Sequence, residues 1–180
     1  MSSAELEKAD AAPRVYGLDT ASDRWHMVTR MPEAFQELGY TNQFLVARQK
    51  ESSKEPADVR RVALFLGARL MFEQIPPGSH IFCEEPLALK NGKTTRILNL
   101  ACGAVWAAHV QCDITWWWAD VSAWKREIIG IGNASKDDIR DWSMFHGGQE
   151  DWDEDHHDAH AIMAFGEMQL AQAGIELPAS

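Results

Sequence analysis

The chain has 180 residues, of which 46% are hydrophobic and 24% are charged, and its formal net charge is −10. This length and composition fit one globular domain with an adequate core. No apolar run approaches the roughly 20 residues that span a bilayer, so no membrane segment is expected. The negative charge opposes nucleic-acid binding, which needs Lys and Arg at the phosphates, but the basic residues are clustered and can still form a contact surface.

The N-terminal residues and the cysteines lead to two further predictions. Residues 1–13 are rich in Ala, Ser and Glu and have no basic or apolar segment. They are predicted to be a disordered lead-in, not a secretory signal, before a single domain at 14–180. Cys83, Cys102 and Cys112 lie in apolar runs without CxxC spacing. They predict reduced, buried thiols and a cytoplasmic protein, encoded by a bacterium or a phage.

Hydrophobic periodicity predicts five strands and five helices. The predicted strands are residues 15–19, 25–29, 42–48, 80–84 and 113–118. The predicted helices are residues 56–75, 94–110, 122–129, 136–145 and 153–173. Three strands followed by helix-strand-helix-strand-helix predict an α/β domain with a mixed five-stranded sheet, three strands antiparallel and then two parallel, flanked by helices.

Acidic residues end two of these strands and begin the last helix. Asp19 follows the first apolar run, Glu84 and Glu85 follow the fourth, and Asp155 and Asp158 are three residues apart in the final helix. Residues at i and i+3 share one helix face, so these carboxylates can converge with those at the strand ends. Converging carboxylates repel each other and need cations. All-oxygen sites suit Mg²⁺ or Mn²⁺ and most often serve phosphodiester hydrolysis.

Four short motifs follow one another along the chain. Residues 17–21 read Gly-Leu-Asp-Thr-Ala, and residues 81–87 read Ile-Phe-Cys-Glu-Glu-Pro-Leu. Residues 130–136 read Gly-Ile-Gly-Asn-Ala-Ser-Lys, and residues 155–161 read Asp-His-His-Asp-Ala-His-Ala. The motifs and their order resemble the RNase H-like superfamily and, within it, the RuvC-type Holliday-junction resolvases. The resemblance extends from about residue 15 to residue 166.

The resemblance implies that four carboxylates are catalytic and hold Mg²⁺ or Mn²⁺, with two ions in all. These four residues are Asp19, Glu84, Asp155 and Asp158. In a continuing strand, Glu84 and Glu85 point to opposite faces. The resemblance selects Glu84 for the site, and Glu85 is the secondary candidate.

The activity implied by the resemblance is a metal-dependent, structure-selective endodeoxyribonuclease that cuts branched DNA such as Holliday junctions. A homodimer is implied too, since a four-way junction needs two symmetric nicks. Two positions depart from the family pattern: Thr20-Ala21 stands in place of Pro-Gly, and Leu87 in place of an aromatic wedge. Two alternatives remain, namely an RNase H-like nuclease acting on a hybrid, flap or single strand, and a nucleic-acid-binding module that does not cut.

Basic residues around the predicted site are candidates for contacts with the DNA backbone. The turn at residues 130–132 precedes a helix, so it either cradles a phosphate or simply joins two helices. The candidate nucleic-acid-binding residues are Lys90, Lys93, Arg96, Lys125, Arg126 and Lys136.

The histidines of the last helix permit another interpretation. His157 is a secondary candidate for proton transfer or metal binding next to Asp158. His156 and His160 have the i,i+4 spacing of a zinc or nickel site. The other interpretation is that they are surface histidines beside an acidic cluster.

The tryptophans give two expectations. Alternation along a strand places Trp116 and Trp118 on one face of the sheet and Trp117 on the other, with helices predicted to cover both faces. Three further tryptophans lie in helices and loops near the predicted active face, where one is expected to stack on a base or line a dimer interface. They are Trp124, Trp142 and Trp152.

Overall fold

The sheet has the predicted mixed arrangement. The structure, a computed structural model, describes residues 7, 10–20, 24–36, 42–48, 56–86, 92–110 and 112–177. The strands are β1 (Val15–Thr20), β2 (Arg24–Arg30), β3 (Asn42–Arg48), β4 (Ser79–Glu84) and β5 (Ile114–Ala119). Their order in the sheet is β3-β2-β1-β4-β5. β1–β2 and β2–β3 are antiparallel, whereas β1–β4 and β4–β5 are parallel, which confirms the predicted fold class.

Helices flank this sheet. They are α1 (Glu33–Gln36), α2 (Ala57–Phe72), α3 (Gly92–His109), α4 (Val121–Trp124), α5 (Lys136–Phe145) and α6 (Glu154–Gln172). The short α1 was not predicted, and α2 ends at Phe72, three residues earlier than expected. The predicted helix at 122–129 is α-helical only to Trp124 and continues as a π-helical turn, Lys125–Ile129. Gly130, with a φ of 89°, ends that turn in the left-handed conformation that glycine adopts readily.

Each face of the central strands contributes to a separate apolar core. One core lies under α2 and α3 and includes Leu18, Trp25 and Ile81. The other lies under α6 and includes Val28 and Phe82. Successive strand residues point to opposite faces, so a sheet covered by helices on both sides has nearly continuous apolar strands. The polar residues that remain at the strand ends therefore stand out.

The α6 backbone lies directly on β1 at Gly17. A Cβ atom at this position would be 1.9 Å from the Ala159 carbonyl oxygen and 2.3 Å from the Met163 nitrogen. Only a residue without a side chain allows this approach. The contact fixes the first half of α6 against the end of β1, where Asp19 lies.

Part of the predicted N-terminal lead-in packs on the domain. Ala12 is buried, and Asp10 Oδ1 accepts a hydrogen bond of 2.9 Å from Arg14 Nη2. Most of residues 1–9 lie outside the described part of the chain, and the boundary at residue 13 stays a prediction.

The tryptophans of β5 alternate as predicted. Trp116 and Trp118 contact each other with ring centroids 5.4 Å apart, and Trp117 stacks on Phe82 on the other side of the strand. The expectation that helices cover both faces was wrong. Trp117 is 36% exposed and Trp118 is 46% exposed, because β5 is an edge strand that the described helices cover only partly.

The cysteines agree with the expectation of reduced thiols. Cys83 and Cys102 are buried, Cys112 is half-buried, and all three are free. None of the described helices has both the length and the apolarity that a membrane span requires.

Candidate active site

Two predicted carboxylates lie side by side at the ends of parallel strands. Leu18 of β1 is in register with Cys83 of β4. The next residue of each strand is Asp19 and Glu84. Because neighbouring parallel strands run in the same direction, these two side chains emerge at the same edge of the sheet.

Asp19 lies within electrostatic reach of the other three predicted carboxylates. Burial is the largest cause that raises the pKa of Asp19 well above its usual value. The negative charges of Glu84, Asp158 and Asp155 raise it further, in that order, and Lys136 opposes them. The two acids of α6 are therefore close enough to the strand ends to act on one carboxyl group.

Glu84 is the glutamate that faces this cluster. Burial and then the Asp158 charge raise its pKa to about 7, against the opposing influence of Lys136, Lys125 and the Trp124 indole. Glu85 lies beyond the end of β4 and is exposed. Strand alternation thus places the secondary candidate outside the cluster.

Lys136 provides a positive charge inside the cluster. Its Nζ donates a short hydrogen bond to Asp158 Oδ2. Burial alone would lower the pKa of Lys136, but the bond to Asp158 and the charges of Asp158, Asp19 and Asp155 raise it. For Asp158, burial raises the pKa and the bond and charge of Lys136 lower it, and the pKa is raised on balance.

The position of Lys136 follows from a helix cap. Ser135 and Asp138 form a reciprocal capping box that starts α5 at Lys136. Lys125 Nζ donates a hydrogen bond of 3.2 Å to the Ala134 carbonyl, so the π turn and the start of α5 are tied together. Both lysines therefore face the carboxylates from one connected segment.

The donor set fits a hard divalent cation. Four carboxylates from three elements present only oxygen, which suits Mg²⁺ or Mn²⁺. Asp158 Oδ1 is buried and has no hydrogen-bond partner among the described residues, as expected of an oxygen that a cation would satisfy. Among these residues, however, the set with ligand atoms all within 4.8 Å of one another is His26, Asp153 and His156.

Two of the remaining basic candidates have described side chains, and both are exposed. Arg126 is exposed on the π turn, and Arg96 is exposed on α3. Lys93 belongs to α3, but its side chain lies outside the described part of the structure, as do Lys90 and Leu87 entirely.

His157 packs between two helices instead of facing the carboxylates. Its Nδ1 lies 2.9 Å from Ser143 Oγ, and the same hydroxyl lies 2.9 Å from His160 Nδ1. Burial is the largest cause that lowers the pKa of both histidines, that of His160 to about 4. His160 therefore does not join His156 in the predicted i,i+4 metal pair, because its ring contacts α5 and His156 contacts Asp153.

Two of the three helical tryptophans are buried and are not available to a base or a partner, so the expected role stays a prediction for Trp142 alone. Trp124 is fully buried and Trp152 is 8% exposed, because both fill the core under α6. Trp142 is half-buried and stacks on His146. Exposed rings occur elsewhere: Trp106 and Trp118 line a cavity of about 310 Å³ together with Glu85.

His26 was missed by the sequence reasoning. It lies on β2 directly opposite Asp19 and is 1% exposed. Its Nε2 is 3.4 Å from Asp153 Oδ2, and its Nδ1 is 3.5 Å from Asp155 Oδ2. No local motif marks this histidine; only the pairing of β1 with β2 brings it to the site.

Comparison with known proteins gives matches to solved structures only. No family model matches the sequence, and no curated protein matches it. The structure of Thermus thermophilus RuvC aligns with a TM-score of 0.67 at 17% identity, covering 92% of this chain and 99% of that one. T. thermophilus RuvC in complex with a Holliday junction substrate aligns with a TM-score of 0.69 at 17% identity, covering 93% and 99%.

A eukaryotic resolvase is similar too. Ydc2, the yeast mitochondrial Holliday junction resolvase, aligns with a TM-score of 0.52 at 14% identity, covering 97% of this chain and 88% of that one. At these identities the likeness concerns architecture. It agrees with the resemblance seen in the four sequence motifs. The chain has the RNase H-like fold of the RuvC-type resolvases.

Proposed function

We propose that the protein is a metal-dependent endonuclease that hydrolyses phosphodiester bonds in branched DNA such as Holliday junctions. The observation that carries this proposal is the convergence of Asp19, Glu84, Asp155 and Asp158, whose charges act on one buried carboxyl group. Unneutralised buried carboxylates are costly, so a cluster of this kind favours a cation-dependent role.

The four carboxylates would hold two Mg²⁺ or Mn²⁺ ions. Two such ions, when bound, activate a water for in-line attack and stabilise the leaving 3′ oxygen. Lys136 neutralises Asp158 in the absence of metal. With its partner bound to a cation, the same ammonium is positioned to contact a phosphate oxygen.

Branched DNA is the favoured substrate for two reasons. First, the fold extends over nearly the whole length of a RuvC whose structure was solved in complex with a Holliday junction substrate. Second, Trp106 and Trp118 are 44% and 46% exposed in a cavity beside Glu85, which follows Glu84 directly. Aromatic faces of this kind stack on bases that leave the duplex, and we propose that a base at the branch point is bound in this way.

A homodimer accompanies this proposal. The outer face of α2 carries an apolar stripe formed by Val59, Val62, Leu66 and Leu70, which are 44%, 58%, 52% and 64% exposed. Contiguous exposed apolar patches are typical of interaction surfaces. A second copy of the chain is the fitting occupant, since a two-fold symmetric junction needs two active sites.

The test is cleavage of a synthetic four-way junction in Mg²⁺ or Mn²⁺. The wild-type chain is expected to cut it, and Asp19→Asn is expected to lower the rate more than roughly 100-fold, since even partners of metal ligands change activity about 10–100-fold. Asp141→Asn is the matched control, because Asp141 is an exposed acid on α5. Junction cleavage by Asp19→Asn at the wild-type rate would refute the proposal. If the wild-type chain cuts a hybrid or a flap but not a junction, the substrate is that structure and not a junction.

A further inference from the structure

A second group of potential metal ligands lies beside the carboxylate cluster. It contains His26, Asp153 and His156, whose ligand atoms all lie within 4.8 Å of one another. The rings of His26 and His156 are 4.5 Å apart, centroid to centroid. Asp153 lies between them, with one oxygen 3.4 Å from His26 Nε2 and the other 2.6 Å from His156 Nδ1.

The three side chains come from two independent elements. His26 is held on β2 by the sheet, with 1% of its surface exposed. Asp153 is the N-cap of α6 and accepts from the His156 amide at 3.1 Å, which fixes its carboxylate next to the first turn. The grouping is therefore built from a buried strand residue and a capped helix start, and it does not depend on a single helix end.

The chemistry of this group differs from that of the four carboxylates. Two imidazoles and one carboxylate favour Zn²⁺ and similar transition metals, whereas all-oxygen sites favour Mg²⁺ and Mn²⁺. Three protein ligands with one open position are typical of a zinc site that retains a water.

We propose that His26, Asp153 and His156 form a separate site for a transition-metal ion of the zinc class. The ion ties β2 to the start of α6, and a water molecule completes its coordination. This site is distinct from the carboxylate cluster, and the proposal does not depend on whether the chain cuts DNA.

His26 links this site to the carboxylate cluster. When its Nε2 binds the metal, its Nδ1 carries the proton and faces Asp155 Oδ2, 3.5 Å away. A carboxylate that accepts from a metal-bound histidine orients the ring and is itself fixed in place. A bound ion would therefore also position Asp155.

The test is a calorimetric titration with Zn²⁺ in excess Mg²⁺, using full-length Glu84→Gln so that the oxygen site is weakened. One equivalent of Zn²⁺ is expected to bind. His156→Ala is expected to lower the affinity at least 10-fold, and Asp153→Ser, which keeps a helix-capping side chain, is expected to do the same. His146→Ala is the control, because His146 is exposed at the end of α5.

A second readout identifies the ligands directly. Co²⁺ in place of Zn²⁺ is expected to give visible absorption bands of a low-coordinate site with nitrogen ligands, and these bands are expected to disappear in His156→Ala. Circular dichroism checks that each variant is folded. Zn²⁺ affinity unchanged by both His156→Ala and Asp153→Ser, or no Zn²⁺ binding at all, would overturn the proposal. Neither result depends on junction cleavage, so the two proposals can fail separately.

Discussion

Lys136 and Asp158 form an ion pair in which the ammonium stands beside a carboxylate whose second oxygen, Oδ1, has no hydrogen-bond partner among the described residues. The lysine side chain is 47% exposed and the aspartate side chain 7%. The positive charge thus enters the cluster from the solvent side. This is the side from which a phosphate would approach the carboxylates.

Replacing Lys136 is expected to impair catalysis more than folding. Lys136→Met removes the charge that lowers the pKa of Asp158 and Glu84, and it removes a cation near the substrate phosphate. Single-turnover junction cleavage is expected to slow about 10–100-fold. Lys136→Arg, which keeps the charge, is expected to retain more activity, and equal losses in both variants would contradict the role of charge.

Glu84 is expected to make the metal-free protein less stable as the pH rises. The pKa of Glu84 is raised from 4.5 to about 7, so between these values the unfolded chain releases a proton that the folded chain keeps. The contribution of Glu84 to the free energy of unfolding therefore decreases with pH, by about 1.4 kcal/mol for each unit of pKa shift. His160, whose pKa is lowered to about 4, contributes in the opposite direction, so the Glu84 contribution is measured against a variant that lacks this carboxyl group.

Thermal unfolding in a chelator, followed from pH 4.5 to pH 7.5, checks this expectation. The melting temperature of the wild type minus that of Glu84→Gln is expected to decline across the range, because both chains keep the opposing contribution of His160. Mg²⁺ or Mn²⁺ is expected to raise the melting temperature of the wild type at neutral pH. A difference that rises with pH would show that Glu84 is not held in its neutral form.

Gly17→Ala is expected to destabilise the fold. The added methyl group would collide with the Ala159 and Met163 backbone, and overpacking of this kind costs about 1–3 kcal/mol or more. A drop in melting temperature of several degrees is expected for a chain of this size. Gly103→Ala is the control, because no atom lies within 4 Å of its added Cβ and alanine favours the helix.

The stripe on α2 is expected to mediate dimerisation. Leu66→Lys places a charge at its centre and is expected to produce a monomer, as measured by light scattering after size exclusion. Paired nicking of a junction is expected to become uncoupled, since each site would then act alone. Ile175→Lys, which changes an exposed apolar residue after α6, is expected to leave the dimer intact.

Trp118→Ala is expected to weaken junction binding about 5–150-fold, since stacking on one base contributes roughly 1–3 kcal/mol. Trp117→Ala is the neighbouring control, because its ring lies on the opposite face against Phe82. Electrophoretic mobility shifts in Ca²⁺ measure the affinity without cleavage. Equal losses of affinity in both variants would show that the cavity beside Glu85 is not part of the DNA-binding surface.

Much of the fold could be predicted because the hydrophobic pattern of each segment and the order of the segments indicate the same fold. Apolar runs ending in Asp19 and Glu84 predicted strands, and the helical connections between later strands predicted parallel pairing. The convergence of those acids with Asp155 and Asp158 followed from strand ends meeting at one edge and from i,i+3 spacing on a helix.

Other features depend on contacts between distant segments. His26 is 127 residues from Asp153 in sequence, and only the β1–β2 register together with the approach of α6 brings the two side chains together. The burial of Trp124 was likewise not predictable, since its helix changes to a π turn at the next residue. Apolar spacing alone does not distinguish a ring that fills a core from one that contacts a ligand.

Ser143 restricts which nitrogen atoms carry the protons of two histidines between α5 and α6. Its hydroxyl has one hydrogen to donate and is adjacent to Nδ1 of both His157 and His160. It can satisfy only one unprotonated Nδ1, so at least one of the two neutral imidazoles must adopt the Nδ1–H tautomer. Where the hydroxyl accepts from one ring and donates to the other, a single oxygen atom makes two chemically identical rings inequivalent, and histidine NMR would then show two different tautomers; if both rings donate from Nδ1, it would show one.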